Sequence, residues 1–175
     1  MIAPTLASML APTLALARLT LRPLHHGDFA AIGAMYQTDR AAFIGGKLPP
    51  VRVWYGFASD VGSWVLQGFG GWAVDLADGT TVGQVALTHP VHYPEPELGW
   101  LLYDGFEGRG FATEAARAAR DYAMGTLGWP TLVSYIDPEN HRSQAVAARL
   151  GGLRDPTAAT PSNDPTWVYR YGVAV

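Results

Sequence analysis

Eight consecutive residues, Glu107-Gly108-Arg109-Gly110-Phe111-Ala112-Thr113-Glu114, have the composition of a phosphate-holding loop. Glycines at 108 and 110 let the main chain approach a ligand closely and adopt conformations that other residues resist. The run Ala115-Ala116-Arg117-Ala118-Ala119-Arg120 that follows is rich in helix formers. The first N–H groups of that helix have no partner within it and would face the ligand. Arg109 adds a fixed positive charge. Just upstream, Glu97-Leu98-Gly99-Trp100-Leu101-Leu102-Tyr103 has the character of a strand. Strand, glycine loop and helix start suit a cofactor that bears a pyrophosphate. The bland alternative is a tight strand-to-helix turn, and this segment alone does not choose between them. Two other nucleotide signatures fail on their letters. No Gly-x-x-x-x-Gly-Lys-Ser/Thr string occurs, and the third glycine of a dinucleotide fingerprint is replaced by Thr113.

Composition narrows the chemistry. A chain of 175 residues fits one domain. Its hydrophobic content of 49% with only 15% charged residues argues against disorder. A net charge of -3 gives no polyanion-binding footprint, so nucleic acid is not expected as a partner. With no cysteine there is no disulfide framework, thiolate zinc site or cysteine nucleophile, which agrees with a cytoplasmic setting. Residues 1–16 are apolar but lack a basic leader and are broken by Pro4 and Pro12. They read as an N-terminal extension ahead of a domain spanning 17–175, and they are too short to span a membrane.

The loop needs a scaffold, and the patterning supplies one. Arg18 to Leu24 alternates apolar and polar residues, as a half-buried strand does. Asp28 is an N-cap candidate ahead of the helical stripe Phe29, Ile32, Met35 and Tyr36. A second helix is expected over 51–67. Strands follow over 71–76 and 80–88, joined at Asp78-Gly79 by a hairpin signal. After the strand 97–103 come a helix over 112–127, a strand over 131–136, a helix from Pro138 closed by Gly151, and a last strand over 166–173. The order β-α-α-β-β-β-α-β-α-β predicts an α/β domain. Its mixed sheet would carry helices on both faces, with antiparallel pairing in the middle and one parallel step after it.

This order, with the glycine turn between the fourth strand and third helix, resembles the GNAT superfamily of acyl-CoA-dependent N-acetyltransferases. Within it the chain is similar to the branch that acetylates the N-terminal amine of ribosomal proteins. The resemblance spans about residues 17 to 173 and rests on four strings together: Arg18 to Leu24, Glu97-Leu98-Gly99-Trp100, Gly108 to Ala115, and Asp137-Pro138-Glu139-Asn140-His141-Arg142-Ser143. It implies a single domain whose fourth and fifth strands splay apart. It implies acetyl-CoA as cofactor and an amine as acceptor, transferred directly in a ternary complex. The family's loop pattern Gln/Arg-x-x-Gly-x-Gly/Ala maps onto Glu107, Gly110 and Ala112. Glu107 departs from it, and as a carboxylate beside phosphates it is expected to point away.

By the same resemblance Gly108, Arg109, Gly110, Phe111, Ala112 and Thr113 hold the pyrophosphate. Leu101 and Leu102 lend main-chain groups to the pantetheine arm and the acetyl carbonyl. Asn140 contacts the arm, although capping its own helix would equally explain an Asn there. Ser143 lies near the thioester sulfur as a catalytic candidate. Glu97 is the candidate base, against the alternative of an exposed edge carboxylate. The His25-His26 pair reads as a solvated turn, and no metal site is expected. His89, His92 and Tyr93 sit near the expected acceptor mouth. Trp54, Tyr55, Phe57 and Trp64 read mostly as core, and Arg117 and Arg120 as a solvated helix face. The expected acceptor is a peptide N-terminal amine, with a small amine as alternative and a non-catalytic acyl-CoA sensor as a rival of another class. A homodimer that closes the acceptor site is compatible with the sequence.

Overall fold

The computed structural model describes Leu6 and residues 10–172. Among the described residues there are eight strands: β1 (Leu14–Ala15), β2 (Leu19–Pro23), β3 (Gly71–Leu76), β4 (Thr81–Thr88), β5 (Glu97–Leu102), β6 (Thr131–Ile136), β7 (Leu153–Arg154) and β8 (Trp167–Gly172). Among the described residues four further elements are α-helices interleaved with them: α1 (Phe29–Met35), α2 (Pro50–Leu66), α3 (Phe111–Gly125) and α4 (His141–Arg149). Short 3-10 turns, His26–Asp28 and Asp39–Phe43, flank α1.

All strands join one sheet in the order β1-β2-β3-β4-β5-β6-β8-β7. Neighbours are antiparallel throughout, except β5 and β6, which run parallel. Those two share a single register pair, Glu97 opposite Val133. β5 and β4, in contrast, stay paired from Thr88–Glu97 to Gly83–Leu102. The sheet therefore opens into a V between β5 and β6, closed at Glu97 and widening toward the strands' C-terminal ends. The mixed sheet and its splay between the fourth and fifth predicted strands agree with the sequence reading.

Strand alternation sends successive side chains to opposite faces. On one face Leu21, Trp72, Val74, Leu87 and Leu98 pack against α3, whose Phe111, Ala115, Ala119 and Ala123 recur at helical spacing. Small alanines let α3 lie close to the sheet. On the other face Leu24, Ala73 and Tyr103 pack against Ile32 and Met35 of α1 and Val53 and Phe57 of α2. α2 starts with Pro50 in its first turn. It approaches β3 so closely that a Cβ at Gly70 would lie 2.4 Å from the Asp60 carbonyl oxygen.

Two local expectations change. Asp28 does not cap α1. Its carboxylate accepts from the His25 N–H at 2.8 Å and is paired with Arg22, so it serves the 3-10 turn instead. Packing also starts ahead of residue 17. Ala11 is buried in the larger core, the Trp72 indole donates to the Pro12 carbonyl at 2.8 Å, and Leu14–Ala15 pairs with β2. Residues 11–15 thus take part in the packing.

Candidate active site

The loop between β5 and α3 is built from left-handed glycines. Gly105, Gly108 and Gly110 have φ of +82°, +71° and +80°. Gly110 is the N-cap of α3 and supplies no capping side chain. The N–H groups of Phe111, Ala112 and Thr113 have no acceptor among the described residues. This is a donor set facing outward at the positive end of a helix dipole, which fits an anionic group. Arg18 buttresses the loop from β2's side. It donates to the Arg109 carbonyl at 2.9 Å and pairs with Glu114 at 2.7 Å. The guanidinium groups of Arg18 and Arg109 both lie over the Phe111 ring, at 5.1 and 4.7 Å.

Glu107 does turn aside from this donor set. Its carboxylate is bound by Arg40 of the second 3-10 turn, with Arg142 of α4 3.8 Å away. Arg40 also donates to the Leu102 carbonyl at 2.7 Å. One arginine therefore neutralises the carboxylate beside the loop and ends β5.

Main-chain direction along β5 sorts the strand's free groups. Leu98 presents its carbonyl to β6, where the Ser134 hydroxyl donates to it at 2.6 Å. Alternation gives Trp100 and Leu102 the same direction. Leu101 faces the opposite way: its carbonyl oxygen would lie 2.2 Å from a Cβ at Gly83 on β4. The expectation that Leu101 lends main-chain groups to a ligand in the V is thereby corrected, because those groups are turned toward β4. Trp100, whose parity with Leu98 could have revealed it, occupies that position.

Beyond β6, the Asn140 side-chain Oδ1 accepts from the Ser143 N–H at 3.1 Å and caps α4. The capping explanation of Asn140 thus holds, and its amide N–H groups stay available. The Ser143 hydroxyl has no partner among the described residues. Because β5 and β6 are parallel, the N-termini of α3 and α4 both follow the open end of the V.

Glu97 lies at the closed end. The Thr88 hydroxyl is 3.4 Å from its carboxylate, and the Tyr135 backbone N–H stands near enough to favour the ionised form. Burial pushes its pKa up to about 7, the negative charge of Asp60 adding to the rise. Asp60 itself is pushed up to about 7 by burial. Sequence reading missed Asp60. The available signal was its spacing, since 53, 57, 60 and 64 form one inward stripe of α2 and a carboxylate breaks it. Glu95, by contrast, is bound by Arg170 at 2.8 Å and is not free for an acceptor.

The remaining candidates fall at the margins. Tyr93 packs edge-on against Tyr135 with centroids 5.5 Å apart, and His92 stacks on Tyr93. Phe57 and Trp64 are core, whereas Trp54 and Tyr55 are exposed. His25 accepts from the Gly27 N–H, as expected of a turn. Arg120 is not simply solvated: it donates to the Leu150 carbonyl and so closes the C-terminal end of α4. No cluster able to hold a metal ion occurs among the described residues, and no helix there is long and apolar enough to cross a membrane.

Comparison with known proteins agrees with this layout. The crystal structure of an acetyltransferase from Agrobacterium tumefaciens str. C58 superposes with a TM-score of 0.90 at 46% identity, covering 93% of this chain and 95% of that one. A ribosomal L7/L12 alpha-N-protein acetyltransferase in complex with coenzyme A gives 0.70 at 14% identity, over 91% of this chain and 96% of the other. A spermidine N-acetyltransferase from Vibrio cholerae, in complex with CoA and spermine, gives 0.68 at 17%, over 89% and 94%. Among curated proteins, the uncharacterized N-acetyltransferase YnaD of Bacillus subtilis (strain 168) is 29% identical over 59 residues, which is 34% of this chain and only 35% of that relative's length. The family described as "Acetyltransferase (GNAT) domain" matches residues 18–152. The chain therefore belongs to the GNAT acetyltransferase family.

Proposed function

We propose that this chain is an acetyl-CoA-dependent N-acetyltransferase whose acceptor is a primary amine, preferentially the α-amine of a peptide or protein N-terminus. Glu97 carries this reading: a carboxyl group with a pKa pushed up to about 7 sits at the closed end of the V. Acetyl-CoA, when bound, supplies an activated thioester.

The chain's own residues then divide the work. The N–H groups of residues 108–113 hold the diphosphate. Main-chain groups of Trp100 and the Leu102 N–H on the open edge of β5 orient the arm, and the Asn140 amide steadies it. The Trp100 N–H is offered to the acetyl carbonyl, where negative charge develops. Glu97 accepts the proton that the acceptor ammonium must lose before its nitrogen can attack. The Ser143 hydroxyl helps return a proton to the departing sulfur. An α-amine near pKa 8 is already about a tenth neutral at pH 7, against roughly one part in 2,500 for a lysine. A carboxylate of modest basicity therefore suits the former.

The second carboxyl, Asp60, favours one competing reading, a small cationic amine as acceptor. Thiol release measured with peptides and small amines tests the assignment. Turnover of an alanine-first peptide supports it; turnover of small amines alone replaces the acceptor. Acetyl-CoA binding without any turnover would make the chain a sensor.

A further inference from the structure

Resting on the acceptor-amine reading above, we propose that Asp60 is a second acceptor-binding carboxylate. It seats a cationic group of the acceptor across a bare stretch of sheet from Glu97.

The argument starts from α2. Val53, Phe57 and Trp64 are its buried residues, and Asp60 shares their stripe, so its side chain points at the sheet. A Cβ at Gly71 would lie 3.0 Å from the Asp60 Cβ and 3.4 Å from its Cγ. The carboxyl therefore sits over β3 at Gly71. Register continues that row across the sheet: Gly71 is opposite Ala86, and Ala86 opposite Gly99. Two strand spacings make a floor about 10 Å wide with no side chain larger than a methyl group. A Cβ at Gly99 would touch nothing within 4 Å, so the space above the floor is open there. Glu97 lies two residues along β5 from Gly99 and faces the same side.

The charges around this floor are unusual for the molecule. Six other carboxylates are paired with arginine: Asp28 and Asp75 with Arg22, Glu95 and Asp155 with Arg170, Glu107 with Arg40, and Glu114 with Arg18; Asp78, Asp137, Glu139 and Asp164, which also lack an ion pair among the described residues, lie in turns and loops. Neither Asp60 nor Glu97 makes an ion pair among the described residues. The titratable groups facing them are tyrosines: Tyr36 after α1, Tyr93 in the loop before β5, and Tyr135 on β6. An independent observation marks the same place. The Tyr135 hydroxyl is buried without a hydrogen bond of good geometry, the Glu95 backbone N–H standing near it, and its residue shares the Glu97 face by its parity with Val133. Holding two unpaired, half-buried carboxyls and a buried hydroxyl away from bulk water costs the free protein stability. A ligand with positive charge and N–H donors satisfies them.

Two probe pairs differ only in a second positive charge: putrescine against butylamine, and Ala-Lys-Ala against Ala-norleucine-Ala. Wild-type kcat/KM by thiol release is expected to favour the dication of the accepted pair by about tenfold. In Asp60→Asn that preference should vanish, and Asp60→Glu should restore part of it. The acetyl-CoA Kd by calorimetry should stay at the wild-type value in both variants. A wild type without charge preference, or an Asp60→Asn enzyme that keeps it, overturns the inference and leaves the acetyltransferase reading intact. Loss of acetyl-CoA affinity together with the acceptor effect overturns it in favour of a structural role. A wild type that binds no acetyl-CoA, or turns over none of the probes, defeats the enzyme reading and the inference with it.

Discussion

The Ser134 hydroxyl donates to the Leu98 carbonyl at 2.6 Å, across the one point where β5 and β6 still meet. Leu98 has lost a ladder partner to the splay, and a side chain supplies the missing donor. Tyr171 on β8 donates in turn to Ser134 at 3.0 Å, and Ser134 and Tyr171 are buried. Ser134→Ala leaves a buried carbonyl and a buried phenol unsatisfied. It should cost about 1–3 kcal/mol, read as a lower denaturant midpoint at unchanged slope.

Gly110 has a φ of +80°, and a Cβ there would lie 3.3 Å from the Arg18 guanidinium. Gly110→Ala should cost about 1 kcal/mol of stability. Gly110→Glu places a carboxylate among N–H groups offered to an anion, and acetyl-CoA should bind at least about tenfold more weakly. Calorimetry on a variant that still unfolds cooperatively decides the point; affinity equal to the parent's would remove the loop from the binding site.

Glu97 must be ionised to accept a proton, so wild-type kcat/KM should rise through about pH 7. Glu97→Gln should lower kcat about 100-fold or more and abolish that limb of the profile. The stability consequence has a definite sign. The folded chain keeps this proton to about pH 7, whereas the unfolded chain releases it near pH 4.3. Wild-type stability therefore falls as pH rises between those values. Glu97→Gln, which has no such proton to lose, should gain melting temperature relative to wild type at pH 8 compared with pH 5.

Arg40 neutralises Glu107 and satisfies the Leu102 carbonyl. Arg40→Ala should raise the KM for acetyl-CoA severalfold by freeing a carboxylate beside the loop. Adding Glu107→Gln should recover most of that loss. A double-mutant cycle on KM measures the coupling, and additive effects would mean that the pair does not guard the loop.

Much of this arrangement was readable from spacing alone. The alternation in Arg18 to Leu24 and the apolar stripes of α2 and α3 report local periodicity, which tertiary packing leaves in place. The glycines at 108 and 110 announced their conformation because few other residues tolerate it. What stayed hidden depends on pairing between distant segments. Leu101 and Leu102 look alike as letters, and only register with β4 turns one toward a neighbour and the other toward the V. Arg120 looks solvated until α4 is brought against α3. Asp60 reads as a surface position on a helix until Gly71 and Glu97 arrive from β3 and β5.

The short pairing of Leu14–Ala15 with β2 has a practical result. It sheathes the outer flank of an otherwise bare strand, and Pro12 occupies the indole of Trp72. A shortened gene product beginning at Arg18 would display an unzipped border suited to docking with its own kind. Preparations of that shorter version would clump where the longer one stays dispersed.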